Sequence, residues 1–100
     1  MNDTTTVLAQ AFPAEAVSRS RSVYFLISDA PRVLEFVRSQ KWRLLGVEGF
    51  HADQSSITPD LSRIADLSAA TDGVEAAARI LNLWRLDGSL YVHFTLAMEA

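Results

Sequence analysis

One hundred residues, of which 49% are hydrophobic and 21% charged, are enough for one domain with a single hydrophobic core. The chain has no cysteine and no run of roughly 20 apolar residues, which excludes disulfides, thiolate metal sites and membrane-spanning helices. The formal net charge is −3, and because no basic cluster marks a surface for nucleic acid we expect neither a nucleic-acid nor a membrane partner.

Residues 1–21 show no sustained hydrophobic period, and we predict that they form a polar N-terminal arm of the kind that is commonly mobile. Val7, Leu8 and Phe12 are the side chains that would attach part of this arm to the body, as a short strand or a turn of helix. Residues 22–100 are predicted to form a single α/β domain. The chain does not open with the positive region and long apolar core of a secretory signal, so the expected location is cytoplasmic.

The first predicted strand is Val23–Ile27, a continuous run of β-branched and aromatic residues typical of a sheet covered on both faces. A helix over residues 30–40 follows, with Asp29 as its capping residue and Pro31 in its first turn. Residues 42–52 are predicted to form a second strand, parallel to the first if both lie in one sheet, although two glycines interrupt its alternation.

Residues 57–67 have a mixed pattern. Thr58 and Pro59 favour a turn or a short helix, and Ile64–Leu67 would then form a short strand. We prefer this order, but the pattern leaves helix and strand open for the segment as a whole.

The spacing of Asp72 and Glu75 predicts a capped helix N-terminus, and an apolar stripe of helical period follows it. The Asp-Gly pair at residues 87–88 is also a hairpin signal, so residues 81–86 are either the end of this helix or a strand. Three consecutive alanines favour the helix.

The final segment, Leu90–Met98, alternates strictly between apolar and more polar residues, which predicts a strand with one buried and one wetter face. The resulting order β-α-β-(β)-α-β predicts an α+β fold. We expect a compact two-layer sandwich, ferredoxin-like or related, with a mixed sheet of three or four strands and two main helices on one face. A βαβ–αβ weave unlike the ferredoxin arrangement is the alternative.

Charge is distributed unevenly along the chain. Residues 1–45 carry six basic and four acidic groups, whereas residues 46–100 carry three basic and eight acidic groups. Six acidic residues of the second part are predicted to form an acidic surface that attracts a cationic protein: Glu48, Asp53, Asp60, Asp66, Asp72 and Glu75. The alternative is a solvated surface that only keeps the protein soluble.

Three aromatic residues are candidates for an interface. Trp42 begins a predicted strand and Trp84 ends a predicted helix, each beside an arginine, a combination found in interface anchors and also at the edge of an ordinary core. Tyr91 lies on the wetter face of the last strand with His93 and Thr95, where a partner or the N-terminal arm would cover it.

We predict no enzyme site and no cofactor. Serines are frequent, but none lies in a Gly-x-Ser-x-Gly turn, and no glycine-rich phosphate loop is present. His51 and Asp53 share a strand face near Glu48, and with His93 they offer the ligand types of a non-haem iron site. Their spacing is weak evidence for a metal, so no metal site is predicted.

We therefore predict a small, non-enzymatic bacterial protein-binding module, a monomer or homodimer, whose acidic surface binds a cationic protein. By analogy of size and composition, an immunity or antitoxin-type protein that neutralises a basic toxin fits this prediction. The alternative is a regulatory domain that binds a small ligand near Gly46–Gly49 and dimerises through a sheet edge. Both hypotheses depend on the residues exposed at these sites and not on the fold class, since a fold class does not determine a function.

Overall fold

The computed structural model describes residues 4–19 and 21–97, so the predicted strand residue Met98 lies outside the described residues. The helices are α1 (Thr4–Ala11), α2 (Ala30–Gln40) and α3 (Gly73–Trp84), and a 3₁₀ turn at Ile27–Asp29 leads into α2. The strands are β1 (Val17–Arg19), β2 (Ser22–Leu26), β3 (Arg43–Ala52), β4 (Ile57–Asp66) and β5 (Tyr91–Ala97).

The strands form one antiparallel sheet in the order β1-β2-β5-β3-β4. The α+β class is confirmed. The prediction of a mixed sheet with three or four strands and two main helices is wrong, because the described residues form five antiparallel strands and three helices. The strands β2 and β3 run in the same direction, but β5 lies between them and pairs with both, which makes the sheet antiparallel throughout. This order does not confirm the ferredoxin-like assignment.

Residues 57–66 form a ten-residue strand, where the sequence predicted a turn or short helix before a short strand. Pro59 is tolerated because β4 is an edge strand, where a missing N–H does not interrupt a ladder on its outer side. The register between β3 and β4 shifts between Glu48 and Phe50, and this irregularity disturbs the alternation that would have marked a strand.

Both longer helices occupy their predicted positions, and α2 has the predicted bounds. The side chain of Asp72 accepts a hydrogen bond from the backbone N–H of Glu75 at 3.1 Å, which confirms the predicted cap of α3. Residues 81–84 are helix, so the hairpin alternative is wrong. The predicted capping role of Asp29 is also wrong, because its carboxylate binds the guanidinium of Arg32 at 2.7 Å instead of a backbone N–H.

The N-terminal segment packs against the same core as the other helices. Leu8 on α1 is only 4% exposed. The ring of Phe12 makes T-shaped contacts with Phe25, at 5.9 Å between centroids, and with Phe36, at 5.6 Å. Residues predicted to form a polar arm thus contribute a helix and an edge strand, held by two of the three apolar side chains expected to attach them.

The core lies between one face of the sheet and the three helices. Its largest fully buried side chains come from both layers, with Phe25, Val47 and Val92 on the sheet and Val33 and Val37 on α2. The shortest dimension of the molecule is 19 Å, which corresponds to two layers and leaves no described helix on the other face of the sheet. None of the described helices has the length and apolar character needed to cross a membrane.

Candidate functional site

The face of the sheet turned away from the core is the candidate functional site, and we call it the helix-free face. Along a strand, successive side chains point to opposite faces of the sheet. Val47, Val92 and Phe94 are buried in the core, so the residues next to each of them in sequence point to the helix-free face. Directly opposed residues on neighbouring strands also share a face. Strand register and ring contacts together place several side chains on it, among them Tyr24, Glu48, Phe50, Ile64, Tyr91 and His93.

Three of these side chains form a compact aromatic cluster, defined here as Tyr24, Phe50 and His93. The rings of Tyr24 and Phe50 meet at 4.9 Å and 72°, and His93 lies 5.8 Å from Tyr24 and 6.4 Å from Phe50. Tyr24 is only 7% exposed, although no described helix covers this face. Ring packing across β2, β5 and β3 therefore replaces a second helical layer here.

Arg19 links the first edge strand to the loop that follows β3. The guanidinium of Arg19 on β1 donates a hydrogen bond to the backbone carbonyl of Asp53, the residue after β3, at 3.3 Å. Because β2 and β5 lie between β1 and β3 in the sheet, this hydrogen bond joins segments that are distant in the strand order.

Glu48 is the charged residue at the centre of this face. It lies directly opposite His93 on β5 and directly opposite Ile64 on β4, and it is partly buried. Among the described residues its carboxylate has no hydrogen bond and no ion pair. A partly desolvated carboxylate with aromatic and aliphatic neighbours is an environment that favours a cation, which gains both a charge partner and a ring face.

The electrostatic state of His93 follows from its position beside Glu48. Burial lowers the pKa of His93 below its ordinary value of 6.5, and the negative charge of Glu48 acts in the opposite direction. The imidazole is therefore neutral at pH 7. Since His93 does not neutralise Glu48, the carboxylate remains available to an external cation.

Three of the other predicted acidic residues, Asp53, Asp60 and Asp66, accept local hydrogen bonds from nearby serines, as does Asp87. Four aspartates are each followed two positions later by a serine, and each carboxylate accepts hydrogen bonds from both the N–H and the hydroxyl of that serine. The four pairs are Asp53 with Ser55, Asp60 with Ser62, Asp66 with Ser68 and Asp87 with Ser89. These hydrogen bonds lower the pKa values of the four carboxyl groups below the ordinary value of 3.8.

Asp60 is in addition enclosed by cationic and histidine donors. Its carboxylate lies 2.9 Å from Nε2 of His51 and 3.1 Å from the guanidinium of Arg63, which also contacts Asp87 at 3.1 Å. The hydroxyl of Ser62, the His51 ring, the Ser62 N–H and Arg63 together hold the pKa of Asp60 far below its usual range. Its charge is therefore satisfied within the protein.

The six predicted acidic residues do not form one continuous surface. Asp53 follows Ala52 at one end of β3, and Asp66 lies opposite Gly46 near the other end, a separation of roughly 23 Å. Asp60 binds His51, whose side chain alternates with Phe50 and so points away from the helix-free face that carries Glu48. Asp72 and Glu75 lie at the start of α3, near Arg38 at 3.8 Å and Arg79 at 3.6 Å respectively. Spacing in sequence does not indicate which face of the sheet a carboxylate occupies.

The predicted aromatic residues divide between the core edge and the helix-free face. Trp42 and Trp84 are partly buried against the core, and Trp42 makes a T-shaped contact with Phe36 at 5.7 Å. Both tryptophans therefore fit the core-edge alternative. Tyr91 lies on the helix-free face, directly opposite Phe50.

The weak metal candidates are not brought together. His51 binds Asp60, Asp53 accepts hydrogen bonds in its turn, and His93 belongs to the aromatic cluster. Within residues 4–19 and 21–97, no group of three or more histidine, aspartate or glutamate side chains lies close enough to hold a metal ion.

Three residues of the helix-free face were missed by the sequence reasoning: Tyr24, Phe50 and Ile64. Tyr24 lies in an apolar run that was interpreted without assigning faces. Phe50 and Ile64 lie on either side of the irregular β3–β4 pairing, which hides their common orientation. The Asp-x-Ser spacing was a readable signal for the turns, because both donors of each serine reach the same aspartate.

Comparison with known proteins gives no match: no family model fits the sequence, and no curated protein or solved structure resembles it significantly.

Proposed function

We propose that the protein is a small non-enzymatic binding module that holds a cationic group of a protein partner against Glu48 on the helix-free face. The observation that carries the proposal is the carboxylate of Glu48, which is partly buried beside the aromatic cluster and has no hydrogen-bond or ion-pair partner in the part of the chain that the structure describes. A basic toxin bound by an immunity-type protein is one specific form of this proposal.

The surroundings of Glu48 supply the two other parts of an interface. The rings of Phe50 and Tyr91 offer faces to which a guanidinium or ammonium group is attracted. On the neighbouring strand β4, Ile64 lies directly opposite Glu48 and is 53% exposed, so apolar surface is available next to the charge. A central polar anchor with surrounding apolar contacts is the usual composition of a binding hot spot.

The acidic residues outside this face act at longer range. The segment from residue 46 to residue 100 carries five more acidic than basic groups, and its field speeds the approach of a cationic partner. Contact and affinity are supplied by Glu48, because carboxylates such as Asp60 and Asp66 are occupied by internal donors.

The alternative of a ligand-binding domain that dimerises through a sheet edge has less support. A Cβ atom on Gly46 would lie 3.1 Å from the carbonyl of Ala65, and one on Gly49 would lie 3.0 Å from Cβ of Arg63, so the glycine segment has no space for a metabolite. The long edge strand β4 contains Pro59 and an irregular register, features that discourage strand addition.

The proposal is tested with a fluorescein-labelled oligo-arginine peptide as the probe, using fluorescence anisotropy at low salt. Glu48→Gln removes the charge while keeping the shape of the side chain, and we expect at least a tenfold weaker affinity. Glu75→Gln is the matched control, since it changes the net charge equally at an exposed helix position, and it should change the affinity less than twofold.

A peptide in which citrulline replaces arginine keeps the length and most of the hydrogen-bonding groups but lacks the charge. It should bind weakly to wild type and equally weakly to the Glu48→Gln variant. Equal losses in the Glu48→Gln and Glu75→Gln variants would show that only the general acidity matters and would contradict the proposed site.

A further inference from the structure

A groove between α2 and α3 lies on the opposite side of the molecule from the helix-free face. Its volume is about 550 Å³, within the range of roughly 300–1,000 Å³ typical of small-molecule sites. Apolar side chains form its floor: Ile27, Leu34, Val74 and Leu81. The small side chain of Ala78 and the bare backbone of Gly88 help to keep the groove open.

The two helices run antiparallel, and this gives the groove two chemically different ends. Arg38, near the end of α2, lies 3.8 Å from Asp72 at the start of α3. Ser28 precedes Arg38 by ten residues and Arg85 follows Asp72 by thirteen, distances of about 15 and 20 Å along the helices. Ser28 and Arg85 therefore both line the other end of the groove, together with Asn82.

The two arginines of the groove differ in their charge partners. Arg38 has carboxylates on both sides, Glu35 and Asp72, each at 3.8 Å. Arg85 has no ion pair and no side-chain hydrogen bond with any of the described residues, and the same holds for the hydroxyl of Ser28. One end of the groove is thus electrostatically balanced, and the other presents unpaired donors.

We propose that this groove binds a small anionic amphiphile, namely a carboxylate with an aliphatic or aryl body. The apolar body lies over Leu34 and Leu81, and the carboxylate accepts hydrogen bonds from Arg85 and from Ser28. The charge of Arg85 selects an anion, because an arginine fork matches a carboxylate in two-point geometry. This inference does not depend on the proposed protein-binding face, since the two sites share no residue.

The probe for this site is sodium octanoate below its micelle concentration, compared with octanol, which has the same chain and no charge. Binding is followed by calorimetry and by amide chemical shifts. We expect saturable octanoate binding with shift changes along α2 and α3, and at least tenfold weaker binding of octanol.

Three variants make the test specific. Arg85→Gln should weaken octanoate binding at least tenfold, whereas Arg79→Gln, on the same helix outside the groove, should change it less than twofold. Ala78→Leu should block the groove without unfolding the protein, because Ala78 is exposed and leucine is a good helix former. Retained binding in Ala78→Leu, equal binding of octanol and octanoate, or no saturable octanoate binding would each overturn the proposal.

Discussion

Asp60 illustrates how a single carboxylate can be fully used inside a small protein. Its carboxylate accepts a hydrogen bond from the hydroxyl of Ser62 and contacts His51 and Arg63. These contacts connect β4 with β3 and, through Arg63, with the loop at Asp87. The same Asp-x-Ser arrangement recurs at three further turns in milder form. For these residues the negative charge stabilises the fold, and of the carboxylates on the described strands Glu48 alone has no partner among residues 4–19 and 21–97.

Replacing Asp60 by asparagine should lower the melting temperature at pH 7 more than the replacement Asp53→Asn, because only Asp60 also binds His51 and Arg63. The pKa of Asp60 is lowered in the folded state, so its stabilising contribution is complete well above pH 3.8 and is lost as the pH falls below that value. In calorimetry from pH 2 to pH 7, the melting temperature of the Asp60→Asn variant should therefore fall less with decreasing pH than that of the wild type. Parallel curves for the two proteins would contradict this account.

A second pH dependence is expected at His93. Its pKa is below 6.5 in the folded protein, so the unfolded chain binds more protons between the two pKa values. The free energy of unfolding should fall as the pH decreases through 6.5 and level off below the folded pKa. In chemical denaturation at a series of pH values, the His93→Gln variant should not show this fall in the free energy of unfolding. The His51→Gln variant should still show it.

Glu48 provides an internal check on the same histidine. Because its charge raises the pKa of His93 against the effect of burial, the Glu48→Gln variant should have a still lower His93 pKa. An NMR titration of the imidazole measures this directly. An unchanged or higher pKa would mean that the two side chains do not sense each other across β3 and β5.

At the scale of the elements, the sequence predicts structure well where local signals decide it. Pro31 in a first turn and Asp72 three residues before Glu75 mark α2 and α3 correctly, since capping and helix periodicity depend on near neighbours. The strand β4 was not predicted because Pro59 and the register irregularity imitate a turn. The sequence indicated at most a turn of helix in the N-terminal segment, because the eight-residue helix α1 depends on a distant contact between Phe12 and Phe25.

Gly73 shows how closely the start of α3 approaches the sheet. A Cβ atom at this position would collide with the backbone carbonyl of Leu44 on β3, and backbone cannot move aside cheaply. We expect Gly73→Ala to reduce the free energy of unfolding by about 1–3 kcal/mol in urea denaturation. Gly88→Ala is the control, since nothing lies within 4 Å of its Cβ position, and its effect should stay within about 0.5 kcal/mol. A Gly73→Ala protein as stable as wild type would show that α3 can shift away.

Phe12 is expected to hold the N-terminal helix on the body. The substitution Phe12→Ala removes ring contacts to Phe25 and Phe36 and should destabilise the protein by about 2–3 kcal/mol. Hydrogen exchange should become faster throughout α1. The exposed Gln10→Ala on the same helix should change neither quantity appreciably. Unchanged exchange in Phe12→Ala would mean that Leu8 alone attaches the helix.

At the scale of the whole molecule, the two faces have different chemistry. Glu48 and Tyr91 were predicted as interface residues and do lie on the helix-free face, since strand alternation assigns them locally. The aromatic cluster could not be predicted in the same way, because Tyr24 and Phe50 meet across the intervening strand β5, and the order of strands in a sheet is not a local property of the sequence. Likewise, the groove between α2 and α3 depends on how two distant helices pack.

The most direct test of the proposed function is where an oligo-arginine peptide binds on the ¹⁵N-labelled protein. The account predicts amide shift changes concentrated at the centre of the sheet, around Glu48, Ile64 and His93, with little change in α2 and α3. It also predicts that these changes disappear in the Glu48→Gln variant. Shift changes centred instead on Asp72 and Glu75 at the start of α3, or spread evenly over all acidic residues, would contradict it.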